Sequence, residues 1–307
     1  MTELERRRLK STFAEYLQLP AHLEPRLKEA LNRVLQNPGS LIRPEIVLEV
    51  ALAYGLSETR ATDLAIGLEY FHTASLLFDD LPSMDDAMER RGISCIHIEF
   101  GDAGAILAAL ALVNRAYALT WRAVSGSPAE CQSQALAYIE KHLGLCGLLN
   151  GQSMDLHYAS LPHDRQTTEQ IAMSKTVSLI QLTLVLPALL GGASAIELQL
   201  LERVAVYWGL SYQIVDDLKD ILQSSSETGK TASRDLSLDR PNIALVLGVD
   251  SAAKRLGRLI RLGDRMVCRL IDLSPNLGFL QTLRAELSEE ALHLTESACM
   301  QAAGETT

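Results

Sequence analysis

The chain has 307 residues, 48% of them hydrophobic and only 5% aromatic, with a formal net charge of -10. That length and apolar content support one large domain with a well-buried core, and the acidic balance argues against nucleic acid as a main partner. Five scattered cysteines without C-x-x-C spacing exclude disulfide and zinc frameworks and point to a reducing, cytoplasmic setting.

The opening "MTELERRRLK" has no apolar stretch behind its charges, so no secretory signal is expected. After the break at "NPGS" (37–40), helical spacing takes over. Leu64, Ala65, Leu68, Phe71, His72, Ser75 and Asp79 recur at steps of three and four. Pro82 ends that helix, leaving Asp85 and Asp86 just beyond it. The longest greasy run, "AGAILAALALV" (Ala103 to Val113), is too short to span a bilayer and reads as a buried helix. Helical patterns fill 102–125, 128–158, 167–192, 195–223 and 251–303, with breaks at "SGSP", "SLPHD", "SSSETGKT" and "LSPN". Strand-like alternation is not evident. The expectation is an all-α fold, a single domain over residues 1–307 with about ten helices.

Two groups of acids interrupt this apolar pattern. "SLLFDDLPSMDDAMERRG" (Ser75 to Gly92) ends a greasy helix in Asp79 and Asp80, followed by Asp85, Asp86, Arg90 and Arg91. His72, Ser75 and Asp79 share one helical face. "YQIVDDLKDIL" (Tyr212 to Leu222) sets Asp216, Asp217 and Asp220 inside an apolar helix, with Asp216 and Asp220 on one face and Gln213 a turn below. Such acids, buried unpaired among Ile214, Val215, Leu218 and Ile221, would be costly. A hard divalent cation answers the charge, because Mg²⁺ takes oxygen ligands and joins a few carboxylates to substrate phosphates. Arg90, Arg91, Lys175 and Lys230 are cations of the type that grips phosphate, and the two acidic groups suggest a shared cavity. "ETGKT" (227–231) lacks the leading glycine and preceding strand of a P-loop, which excludes that reading.

Taken together, these residues resemble the trans-isoprenyl diphosphate synthases of the polyprenyl synthetase family. "DDLPSMDDAMERRG" is similar to the first aspartate-rich motif with its arginine pair, and "YQIVDDLKD" to the second, with a glutamine before it. "GQSMDL" (Gly151 to Leu156), "SKTVSLI" and "GKTASRDL" are similar to three further motifs, in the right order. The resemblance implies a single-domain helical bundle around a central cavity, usually a homodimer, with Mg²⁺ as cofactor and three ions when substrate is bound. It implies condensation of isopentenyl diphosphate with an allylic diphosphate, releasing pyrophosphate.

Carried over residue by residue, Asp79, Asp80, Asp85, Asp216, Asp217 and Asp220 would hold Mg²⁺ against the departing diphosphate. Arg90, Lys175 and Lys230 would add direct contacts, and Gln152, Asp155, Thr176 and Gln213 would support that site. Arg43, His72 and Arg91 would meet the isopentenyl diphosphate. The chain departs from the pattern at Ser40, where a phosphate-gripping lysine is expected, and at Pro38, Val177, Ala87, Met88, Ser233 and Arg234.

Product length follows from the residues before Asp79. In the family that the chain resembles, a bulky aromatic four or five positions earlier stops the product at fifteen carbons; those positions here are Ser75 and Ala74. Phe71, one turn further, is the first large side chain in the path, so geranylgeranyl diphosphate is the expected product. A farnesyl diphosphate synthase and a class I terpene cyclase on the same scaffold are the alternatives.

Overall fold

In a computed structural model, which describes residues 3–222 and 240–285, helix follows helix and the only strands among the described residues are two residues long. The helical expectation is met for a physical reason at each start. Pro25 opens α2 (Pro25–Gln36), and the Glu24 side chain accepts from Leu27 N at 2.9 Å. Ser57 caps α4 (Glu58–Asp79), and later Ser194 and Glu197 form a reciprocal capping box before α10 (Ala195–Leu222). The chain divides into two compact units, Met1–Gln132 and Ser133–Thr307.

In the first unit α1 (Glu3–Glu15), α2, α3 (Ile42–Ala53) and α5 (Ile96–Ser125) accompany α4, which is buried along almost its whole length. Gly67 allows α4 and α5 to close up, since a Cβ there would fall 2.7 Å from Thr120 Oγ1. Pro82 ends α4 as expected, with Asp79 its last residue. A ribbon follows, β1 (Glu89–Arg90) paired antiparallel with β2 (Ile93–Ser94). Its two turn residues, Arg91 and Gly92, have φ of 56° and 75°, the signs a type I′ turn requires. Spacing arguments miss strands this short.

The run 103–113 is only half of what its composition suggests. Ala105, Ala108, Ala109 and Leu112 of α5 are buried, while Ile106, Leu107, Leu110, Tyr117 and Trp121 are exposed. α5 and the helical stretch 165–190 are long and apolar enough to cross a membrane by length and composition alone. The second of these is mostly buried within its own unit.

α6 (Ala129–Leu143) leads into the second unit, which continues with α7 (Leu148–Leu156), α8 (Arg165–Ala172), a π-helical turn (Met173–Val177), α9 (Ser178–Leu190) and α10. Then come α11 (Ile243–Leu247) and α12 (Val249–Leu273). The stretch 128–158, read as one helical pattern, breaks between Gly144 and Gly147, where a Cβ on Gly147 would lie 2.2 Å from His142 O. α9 is nearly all buried, and α10 packs on α9 and α12. Leu210, Ile214, Val215 and Leu218 of α10 form a core with Ala252, Leu256 and Leu259 of α12. Each fully buried aliphatic side chain there contributes roughly 1.5–3 kcal/mol.

Candidate active site

In the first unit the loop after α4 folds back on the helix end. Asp85 N donates to Asp79 O at 2.9 Å and Ala87 N to Asp80 O at 3.1 Å, so Asp85 returns beside Asp79. Asp86, exposed at φ 48°, takes the left-handed turn that short polar residues tolerate. Asp80 is buried, and Arg90 Nε and Nη2 both meet its Oδ1 at 2.6 Å. Asp79 and Asp80 thus stand at the helix C-terminus, where the macrodipole already carries partial negative charge. Negative charge added there is unfavourable unless a cation offsets it.

A second cluster lies one to two turns back on α4. Arg43 Nη1 lies 3.1 Å from His72 Nε2. A guanidinium can only donate, so Nε2 accepts and the ring is neutral, with its proton on Nδ1. Burial, reinforced by Arg43, Arg91 and Arg90, holds the His72 pKa well below its usual range. Arg91 donates from Nη1 to Asn37 O at 3.1 Å, and its guanidinium covers Gly39, where a Cβ would fall 2.4 Å from Cζ. Gly39 therefore keeps a role that only glycine fits, at φ 76°, while the exposed Ser40 follows it. Arg91 and Leu41 both sit at positive φ, which costs on the order of 1 kcal/mol each. Glu69, three residues before His72, is buried on the same face and was not singled out from sequence.

In the second unit two hydrogen-bonded chains, both starting on the π turn, join most of the expected residues. Gly151 makes this possible: a Cβ there would lie 2.4 Å from Lys175 N, so only glycine lets α7 close on the π turn. Four residues later Asp155, buried, accepts from Lys175 Nζ at 2.8 Å. Arg240 Nη1 reaches Asp155 O at 3.1 Å and its carboxylate at 3.8 Å. Thr176 Oγ1 donates to Gln213 Oε1 at 2.7 Å, and Gln213 Nε2 passes the chain on to Asp217 Oδ1 at 2.8 Å. π turns of this kind interrupt α-helices frequently at functional sites, and this one carries both Lys175 and Thr176. Val177, where glycine was expected, is accommodated by Gly209 on α10, whose added Cβ would sit 2.8 Å from the valine methyl. The bulk has moved from one helix to the other.

The neighbouring acids of α10 differ sharply. Asp216 is exposed and Asp220 half-buried, whereas Asp217 is 1% exposed. Asp217 Oδ2 accepts from Ile243 N at 2.7 Å, and its backbone carbonyl accepts from Asn242 Nδ2 at 3.1 Å. Asn242 also caps α11 through Ala244 N and Leu245 N. Both carboxylate oxygens of Asp217 are thus turned to protein donors. Arg240 and Asn242 were not singled out from sequence, and the stretch "RPNI" offers only the Asn cap as a local signal. Gln152 is half-buried on α7. Lys230, Ser233, Arg234 and the rest of "GKTASRDL" lie outside the described residues.

Among the described residues no three His, Cys, Asp or Glu side chains gather as a ready metal cage. The acids of both motifs are oxygen donors, and Asp79, Asp85 and Asp220 are only half-buried. Within each unit such carboxylates suit Mg²⁺, which fills the rest of its shell with water and phosphate oxygens.

The family model described as Polyprenyl synthetase matches residues 24–266, and the chain belongs to that family. It is 34% identical over 236 residues to a chloroplastic geranylgeranyl pyrophosphate synthase of Capsicum annuum, covering 76% of this chain and 64% of that protein. It is 31% identical over 246 residues to a chloroplastic geranylfarnesyl diphosphate synthase of Leucosceptrum canum, covering 79% and 68%. The chain therefore spans about two-thirds of the length of these relatives. A geranyltransferase of Helicobacter pylori, solved with magnesium and isoprenyl diphosphate, shares the fold at TM-score 0.76 and 23% identity, over 96% of this chain and 99% of that one.

Proposed function

We propose that this protein is a prenyltransferase that joins isopentenyl diphosphate to an allylic diphosphate, with geranylgeranyl diphosphate as its main product. The observation that carries the reading is the pair of contacts at the π turn, Lys175–Asp155 and Thr176–Gln213–Asp217, which holds an ammonium in place. Ionising an allylic C–O bond leaves a carbocation and a highly charged diphosphate, so fixed positive charge at the leaving group is the main catalytic demand. Lys175 and Arg90 are the fixed cations. Asp79, Asp80, Asp85, Asp216 and Asp220 would hold Mg²⁺, with Asp217 keeping α10 and α11 in place. Bound Mg²⁺ would act as a Lewis acid on the leaving diphosphate. The double bond of isopentenyl diphosphate attacks the cation unaided, and the released pyrophosphate can accept the final proton.

Chain length rests on α4. Ala74 is 1% exposed and Ser75 small, while Phe71 is buried with Tyr117 of α5 set edge-on at 4.8 Å. Phe71 is the first large side chain that a growing chain would meet after passing Ala74, with Tyr117 packed edge-on against it. Synthases named for two different product lengths both match the chain, so overall identity does not decide length and the reading rests on these residues. Offering dimethylallyl, geranyl and farnesyl diphosphates in turn with labelled isopentenyl diphosphate tests the reading. Label should enter with each primer and stop at the C20 product; no incorporation with any primer would remove it.

Ser40 stands in the loop beside Arg91, where restoring a cation should favour the isopentenyl diphosphate. Ser40→Lys is expected to lower the KM for that substrate about tenfold, a gain of about 1.4 kcal/mol, with the allylic KM little changed. Steady-state kinetics against each substrate checks this, and a raised KM would mean that the pocket is built around serine.

A second copy of the chain is the proposed cover for the exposed side of α5. Ala103, Leu107, Leu110, Asn114, Tyr117 and Trp121 are all exposed and alternate at steps of four and three, the spacing of a helix-pairing seam. The lone Asn114 is the kind of polar seam residue that fixes register. Leu110→Lys should convert a dimer to monomer in light scattering at micromolar concentration; a dimer that survives it, or a monomeric wild type, would refute the seam.

A further inference from the structure

Glu69 lies inside α4, 3% exposed, with a buried Oε2 that has no hydrogen-bond partner. Neighbouring groups on α4 and α3 are left short as well. Arg43 Nε, His72 Nδ1 and Thr73 Oγ1 are buried without partners. Buried polar groups left unsatisfied call for an explanation. Three orphaned donors beside one acid make a buried cluster richer in donors than in acceptors, which favours an anion nearby. Two cations act on Glu69, Arg43 from α3 and Arg91 from the β1–β2 turn. Among the described residues α5, packed along the same helix, brings no charge to bear on it. His72 is neutral, so it offers the carboxylate no ion pair.

We infer that Glu69 is an internal counter-ion for Arg43 and Arg91 in the free protein, and that it surrenders them to an incoming diphosphate by taking up a proton from solvent. This deepens the reading of the Arg43 pocket as the isopentenyl diphosphate site and rests on it. The physical case is one of competing anions. Two arginines held close by the Gly39 loop and His72 repel each other unless an anion lies near. In the empty pocket Glu69 is that anion. A diphosphate brings more charge and more acceptor oxygens, and a buried carboxylate beside it is then disfavoured in its ionised form. Burial already pushes the Glu69 carboxyl up to about 7, against the opposing pull of Arg43 and Arg91. Little is needed to complete the protonation near neutral pH. Glu69 is a positioning residue in this scheme, acting on the substrate through the arginines.

The experiment is calorimetric titration of the full chain with isopentenyl diphosphate at pH 8, in two buffers of different ionisation enthalpy. The substrate diphosphate is already fully ionised at that pH, so protons taken up belong to the protein. Wild type should take up close to one proton and Glu69→Gln none. Because pH 8 is one unit above the Glu69 pKa of about 7, the glutamine variant should also bind up to about tenfold tighter there, and no tighter at pH 6. Uptake that persists in Glu69→Gln would belong to His72 and overturn the inference. So would a variant that binds more weakly at both pH values, the mark of a permanent structural anchor. Should the variant not fold, proton-neutral binding by wild type alone would be decisive against it. Absence of any isopentenyl diphosphate binding would instead remove the pocket reading itself, and is distinguishable from proton-neutral binding.

Discussion

Asp216→Ala should lower turnover by on the order of 10²-fold or more while leaving the unfolding transition near wild type; Asp217→Ala should unfold the second unit far more readily. The two acids are adjacent in sequence and opposite in environment. Asp216 is exposed on α10, so its loss removes the carboxylate proposed to meet metal and diphosphate without opening the core. Asp217 is buried, and its oxygens meet Gln213 and the first backbone N–H of α11. Removing it strands both donors and detaches α11 from α10, at a cost of about 2–4 kcal/mol. Gln213 would also lose its hold and release Thr176 on the π turn. Parallel urea denaturation and kinetics separate the two effects. A stable Asp217→Ala protein with lost activity would return Asp217 to the metal-binding group.

The second large effect is on product identity. Ala74→Tyr should shift the product from C20 to farnesyl diphosphate, because the new ring fills space that the buried methyl of Ala74 leaves open. Phe71→Ala should lengthen it, since the edge-on partner Tyr117 would then stand without the ring that blocks the path. Chromatography of the dephosphorylated alcohols reads both outcomes. The Phe71 substitution also leaves a cavity and should cost about 3–5 kcal/mol, so it is best assayed well below the unfolding temperature. Unchanged product from both variants would move the floor elsewhere.

What the sequence made legible was whatever repeats or alternates over several turns. The apolar periodicity of α4 and α10 places Asp79 and Asp216 where the structure has them. Pro82 marks the end of α4 because proline removes a donor and restricts the residue before it. Features decided by contacts between distant segments were not legible. The roles of Asp217 and Asp216 cannot be told apart until Ile243 is known to pack over one of them. Gly151 reads as a motif letter, and its reason appears only when the π turn lies 2.4 Å from its missing Cβ. Glu69 and Arg240 sit in ordinary-looking helix and loop sequence, and only burial and partners reveal them. The exposed stripe of α5 was misread as buried because composition says how apolar a helix is, not which of its faces is covered. Ser40, an evident departure from the family pattern, has a clear neighbour in Arg91 over Gly39 but needs kinetics to weigh its effect.

The central claim is that this chain makes a carbon–carbon bond by expelling pyrophosphate under metal control. The most direct measurement is a mass balance with farnesyl diphosphate, labelled isopentenyl diphosphate and Mg²⁺, following pyrophosphate and labelled product together. The account predicts one pyrophosphate for every isopentenyl unit incorporated, a labelled C20 diphosphate, and loss of both signals in excess chelator. Pyrophosphate released with an unlabelled cyclic hydrocarbon, or turnover that continues in chelator, would contradict it.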